Sequence, residues 1–127
     1  MSPLDQKRAA KNQSLFRAIN KRVNDIDKAH DLWVHVDAAM AGSAMVAPEC
    51  RSLWHGVEGV DSIVVNPHKW LGAAFDCTVY YVREPNDLIR VMSTNPSYLQ
   101  TEADRVVKNF RDWGLPLGRR FRALKLW

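Results

Sequence analysis

At 127 residues, 46% hydrophobic and 25% charged, the chain has the size and composition of one ordinary soluble domain, which excludes a second one. Its longest apolar runs fall far short of the ~20 residues of a membrane-spanning helix, and the basic start (Lys7, Arg8, Lys11) has no apolar segment behind it, so no membrane partner is expected and a cytoplasmic location is the default. The net charge of +4 is concentrated at the two ends, but acids interleave with the first basic cluster and no nucleic-acid-binding motif accompanies either, so a solvated surface is expected rather than a nucleic-acid partner.

In chain order, Ser2-Pro3-Leu4-Asp5 reads as a helix start, with serine as N-cap, proline in the first turn and an acid beside it. Leu15, Ile19, Val23 and Ile26 recur at helical spacing and predict an amphipathic helix over about 15–29. Leu32 to Val36 reads as a short buried strand that delivers Asp37 at its C-terminal end. The small residues from Ala38 to Ala47 suit a tight path beside a ligand, and Pro48 opens a helical stretch to about Trp54. Asp61 to Val65 is a second strand, stopped by Asn66-Pro67, and Cys77 to Arg83 a third. Asn86 to Met92 reads as a helix, Ser93 to about Arg111 as a mobile loop, and Arg119 to Trp127 as helical. Strands alternating with helical patterns predict an α/β layer with a mainly parallel sheet and flanking helices. Cys50 and Cys77 lack a CxxC spacing and are expected as reduced thiols.

Ligands of such sheets collect at the carboxyl ends of the strands, where this reading brings His35-Val36-Asp37-Ala38-Ala39 and Asn66-Pro67-His68-Lys69-Trp70 together as one site. A carboxylate that holds a pyridine nitrogen protonated, with a lysine able to form a Schiff base, is the minimum equipment for pyridoxal 5'-phosphate chemistry. Lys69 would carry the cofactor, its reactivity favoured by burial and neighbouring positive charge; the alternative is an ordinary surface lysine. Asp37 would pair with the pyridinium nitrogen, and the competing reading is a helix N-cap or a solvated aspartate. Ala39 would pack on the ring face. Asn66 would bind the phosphate, or else simply start a turn before proline. His68 suits proton movement or carboxylate binding. The other histidines and the cysteines have no metal-ligand spacing, so no metal is expected, and Ser43 lacks a nucleophile-elbow context.

From about Asp31 to Trp127 the chain resembles the group II amino-acid decarboxylases that use pyridoxal phosphate, and within them the aromatic-amino-acid branch. The carriers are the two segments above, with Ala41-Gly42-Ser43-Ala44, Phe75-Asp76-Cys77, Pro96-Ser97-Tyr98-Leu99, and Trp113 followed by Leu115 to Arg122. The resemblance implies the large domain of the fold type I pyridoxal phosphate enzymes. It implies Lys69 as the Schiff-base lysine, Asp37 as the pyridinium partner, Asn66 as a phosphate ligand and His68 as an active-site neighbour. Tyr98 falls where the family has a loop tyrosine that protonates Cα after carbon dioxide leaves, which favours decarboxylation over the aldehyde-forming chemistry of related synthases. It also implies a homodimer whose loop closes over the neighbouring subunit's site, and an L-amino acid, aromatic in this branch, as substrate.

The family's Ser/Thr-rich phosphate-binding loop, ring-stacking histidine and small C-terminal domain have no counterpart here. The chain is therefore expected to be a piece of such an enzyme, with residues 1–14 unassigned and 15–127 forming the C-terminal portion of the large domain. The alternatives are a truncated remnant without activity of its own and another fold type I enzyme of the same cofactor.

Overall fold

The computed structural model of the chain describes residues 2–94, 101–116, 118 and 120–127. A long helix, α1 (Pro3–His30), opens it. The Ser2 start and the amphipathic stretch from Leu15 are one unbroken helix. Its first turn is closed by a capping box, in which the Asp5 N–H donates to Ser2 Oγ (3.2 Å) and the Ser2 N–H to Asp5 Oδ2 (3.1 Å). It ends at Asp31, a left-handed residue (φ 52°) whose N–H donates to the Asp27 carbonyl. Two asparagines dock α1 on the turn at 55–59: Asn20 Nδ2 donates to the His55 carbonyl (2.7 Å) and Asn24 Nδ2 to that of Gly56 (3.0 Å). The apolar stripe of Leu15, Phe16, Ile19, Val23 and Ile26 remains between 41% and 56% exposed, so the periodicity predicts the helix but not a covered face.

Three short strands follow: β1 (His35–Asp37), β2 (Ser62–Val65) and β3 (Val79–Val82), in the order β1-β2-β3. β1 starts later than its apolar run because pairing begins only where Asp61 meets Val34. There the Val34 N–H donates to Asp61 Oδ2 (2.8 Å) and the Val34 carbonyl accepts the Asp61 N–H (3.0 Å). Leu32 and Trp33, read as part of a buried strand, lie before this point and are exposed. β1 and β2 are parallel, with Asp37 opposite Val64, whereas β2 and β3 are antiparallel, with Val65 opposite Val79. The α/β class therefore holds with a mixed sheet, and the reason lies in the connections. The β1–β2 crossover carries the 3₁₀ segments Ala41–Val46, Pro48–Trp54 and Val57–Gly59, while the β2–β3 link has no helix to carry the chain back for a second parallel pairing. Arg83 fastens the outer strand, donating from Nε to the Val60 carbonyl (3.1 Å) and from its guanidinium to that of Glu58.

Helix α2 (Pro85–Met92) matches its prediction, capped by the Glu84 side chain on the Asn86 N–H. The stretch read as a mobile loop holds, in its described part, the 3₁₀ turns Glu102–Arg105 and Phe110–Trp113. Asp104 knits them together, accepting from Thr101, Asn109 and Arg111. The C-terminal stretch expected as a helix holds, in its described part, the 3₁₀ turn Arg122–Lys125. Among the described residues no helix is long and apolar enough to cross a membrane, and Cys50 and Cys77 are free thiols.

Candidate active site

Buried Ala38, Val65, Pro67 and Cys77 gather at the carboxyl ends of β1 and β2, while Ser62 is buried at the other end of β2. Pairing continues past the strands themselves. The Ala38 N–H donates to the Val64 carbonyl (3.0 Å), and the Asn66 N–H to the Ala39 carbonyl (3.2 Å), so the backbones of the two motif segments are bonded to each other. Gly42 sits above this junction, its N–H on the Ala38 carbonyl at 2.8 Å. A Cβ there would lie 2.8 Å from Val65 Cγ2 and 2.9 Å from Ala38 Cβ, so packing requires glycine at this position.

Asp37 ends β1 with an exposed carboxylate whose Oδ1 accepts the Ala39 N–H at 3.0 Å, an Asx-type turn that leaves Oδ2 without a partner among the described residues. Ala39 is half-buried behind it. Asn66-Pro67-His68-Lys69 forms a β-turn closed by the Lys69 N–H on the Asn66 carbonyl (2.9 Å), with proline at its second position. Asn66 Oδ1 is buried and unpartnered among the described residues, an unspent acceptor. The Lys69 side chain is exposed and bonds to no described residue, and Trp70 beside it is 60% exposed; the burial anticipated around the lysine is not present. Gly72, at φ 67°, then reverses the chain.

The His68 ring turns inward. Its Nδ1 lies 3.1 Å from the Cys77 N and 2.5 Å from the Cys77 O, and the edge of the Phe75 ring is 5.0 Å away between centroids. One ring nitrogen cannot accept and donate together, so the tautomer selects which Cys77 group it binds. Asp37 and Trp70 also line a cavity of about 600 Å³ beneath α1, shared with Phe16, Val23, Val36 and Trp54. Lys69 is not among its lining residues. Tyr98 lies outside the described residues.

One cluster has no counterpart in the sequence reading. Asp76 Oδ2 accepts from Arg122 at 3.0 Å and Oδ1 from Lys125 Nζ at 3.2 Å. The Arg122 guanidinium, then the Asp76 backbone N–H and Lys125, hold this carboxyl well below the usual carboxylate range. The two carriers were visible as motifs, but a separation of 46 residues gives no local signal that they meet.

The family model of the pyridoxal-dependent decarboxylase conserved domain matches residues 13–127. The chain belongs to the pyridoxal-dependent decarboxylase family. Among curated relatives of this family, the chain is 48% identical over 107 residues to tryptophan decarboxylase 2 of Oryza sativa, covering 83% of the chain and 22% of that protein. It is 45% identical over 102 residues to the aromatic-L-amino-acid decarboxylase of Drosophila melanogaster, covering 80% and 20%. The chain thus spans about a fifth of the length of these pyridoxal-dependent decarboxylases. Its fold is similar to the crystal structure of Oryza sativa TDC with PLP and tryptamine (TM-score 0.75, 48% identity, 83% of this chain and 22% of that one). It is also similar to Rhodiola rosea 4-hydroxyphenylacetaldehyde synthase (TM-score 0.68, 38% identity, 82% and 20%).

Proposed function

We propose that this chain carries the lysine-and-aspartate part of the cofactor site of a pyridoxal phosphate decarboxylase that converts an L-amino acid, aromatic by its relatives, to the amine and carbon dioxide. The observation that carries the reading is the junction of the two motif segments, through Asn66 N–H to Ala39 O and the pairing of Asp37 with Val64. The donor set fits the group chemically: an amine on Lys69 and a carboxylate oxygen on Asp37, both uncommitted among the described residues, and an amide N–H donor on Asn66 at the turn before Lys69.

In this reading Lys69 Nζ would hold the cofactor, Asp37 would accept a hydrogen bond from its ring nitrogen, and Ala39 would leave room for a flat ring. Asn66 Nδ2 donates to the phosphate. His68 orients the Lys69 turn through Cys77, while Tyr98 delivers a proton to the substrate Cα. The bound cofactor supplies an electron sink for the pair released when the carboxylate leaves. A carboxylate on Asp37 beside the ring nitrogen would favour the protonated form of that nitrogen.

Likeness to both decarboxylases and an aldehyde synthase leaves the fate of the amine to one residue in this reading, and Tyr98 favours amine formation. The same proposal includes residues 15–127 as part of the large domain, a homodimer in which the Tyr98 loop closes over the partner's site, and a cytoplasmic setting. The test is to incubate the chain with pyridoxal phosphate, reduce with borohydride and map the labelled peptide. Labelling concentrated at Lys69 and abolished by Lys69→Arg supports the reading. Label spread evenly over the exposed lysines overturns it.

A further inference from the structure

The loop that carries Lys69 is closed from the far end of the chain. After the turn at 66–69 the backbone doubles back, with the Gly72 N–H on the Lys69 carbonyl (3.3 Å) and the Ala73 N–H on that of Pro67 (3.1 Å). It returns to the His68 ring at Cys77, which is 4% exposed. Asp76 stands immediately before this closing point. Besides the two contacts to its carboxylate, Lys125 Nζ donates to the main-chain carbonyls of Phe75 (2.8 Å) and Asp76 (3.1 Å). Arg122 and Lys125 come from one 3₁₀ turn, in which side chains three residues apart lie on the same side, so both cations reach one residue.

Ion pairs this exposed, with Arg122 39% and Asp76 37% accessible, contribute little to global stability. The sheet does not depend on the cluster, since β2 and β3 pair through their own backbones. What the four hydrogen bonds fix is direction: they hold both a carboxylate and two consecutive carbonyls, which determines where the 75–77 backbone presents itself to His68.

We infer that Asp76, gripped by Arg122 and Lys125, is a positioning residue that sets the Lys69 amine through the Cys77–His68 closure. Three links carry the effect: Asp76 is bonded to Cys77 in the chain, Cys77 meets the His68 ring, and His68 precedes Lys69. The inference rests on the reading of Lys69 as the cofactor lysine.

The test uses the 127-residue chain with Asp76→Asn, Arg122→Gln and the charge-conserving Arg122→Lys, and takes two readings. Amide hydrogen exchange over residues 69–77 reports the clamp without any cofactor. Pyridoxal phosphate trapped by borohydride at Lys69, relative to Lys21 on α1, reports the position of the amine. In Asp76→Asn and Arg122→Gln, exchange in the loop is expected to rise about fivefold and the Lys69 to Lys21 ratio to fall about fivefold, the scale of losing a contact of this strength. Amides of α1 stay unchanged, and Arg122→Lys retains both readings. Unchanged loop exchange, faster loop exchange with an unchanged ratio, or α1 loosening together with the loop while Arg122→Lys fails to restore it, each overturns the inference. A ratio near one in the unsubstituted chain defeats the Lys69 reading and the positioning role with it; the exchange result still separates that failure from failure of the clamp.

Discussion

Gly42→Ala places a methyl group into the junction that joins the two motif segments. The new Cβ would stand 2.8 Å from Val65 Cγ2, 2.9 Å from Ala38 Cβ and 3.3 Å from Val65 Cγ1, where carbon atoms in contact prefer about 3.5–4.0 Å. The Ala38 methyl has no rotamer through which to withdraw, so relief requires β1 or the 3₁₀ segment to move. Overpacking of this kind costs about 1–3 kcal/mol, against which the lower unfolded-state entropy of alanine returns about 0.4–1 kcal/mol. The net expectation is a loss of about 1–2 kcal/mol, read as a lower urea midpoint with an unchanged m-value by far-ultraviolet circular dichroism. Val65→Ala removes both γ-carbons and alone costs about 1.6 kcal/mol, at ~0.8 for each carbon group. Because it also removes two of the three close approaches, the double variant should be more stable than the sum of the singles by about 1 kcal/mol. Simple additivity, or a neutral Gly42→Ala, would refute the close packing of Gly42 on Val65.

Ser62, 2% exposed, accepts from Trp33 Nε1 at 2.9 Å and lies 2.8 Å from His35 Nδ1; since the Trp33 side is half open to water, Ser62→Ala should cost only about 1 kcal/mol, the low end for an unpaired buried group, and an unchanged urea midpoint would contradict the bond. Asp104, held by the Thr101 N–H and hydroxyl and then by Asn109 and Arg111, is drawn down to about 2 from an ordinary 3.8. Its folded value lies below its unfolded one, so its contribution is complete above about 3.8 and is lost as pH falls toward 2. A carboxyl-carbon NMR titration should show this depressed midpoint, and a midpoint near 3.8 would dispose of the network.

Features decided by adjacent residues were legible in the sequence. Ser2, Pro3 and Asp5 cap α1 as their types predict, Asp37 ends its strand, and Asn66-Pro67 makes the turn that presents Lys69. The direction of β3 was not legible, because a half-buried strand has the same alternation whether its neighbour runs parallel or antiparallel, and only the connection decides. The basic and apolar pattern of the C-terminal stretch predicts a helix, yet its described part holds a 3₁₀ turn whose Arg122 and Lys125 bind Asp76. Periodicity records which side chains share a face, not which distant partner claims them. The sequence offers Asp37, Ala39, Asn66, His68 and Lys69 as candidates, and strand register brings their two segments together. The aromatic and proline neighbours of Lys69 suggest burial, but Trp70 is 60% exposed and the burial of Pro67 does not extend to the lysine.

The central claim is that Asp37 and Lys69 serve one cofactor. A crystal of the chain grown with pyridoxal phosphate tests it most directly. The account predicts continuous density from the cofactor to Lys69 Nζ, with an Asp37 carboxylate oxygen within about 3.2 Å of the ring nitrogen. Density attached to another lysine, or an Asp37 carboxylate turned away from that nitrogen, would contradict it.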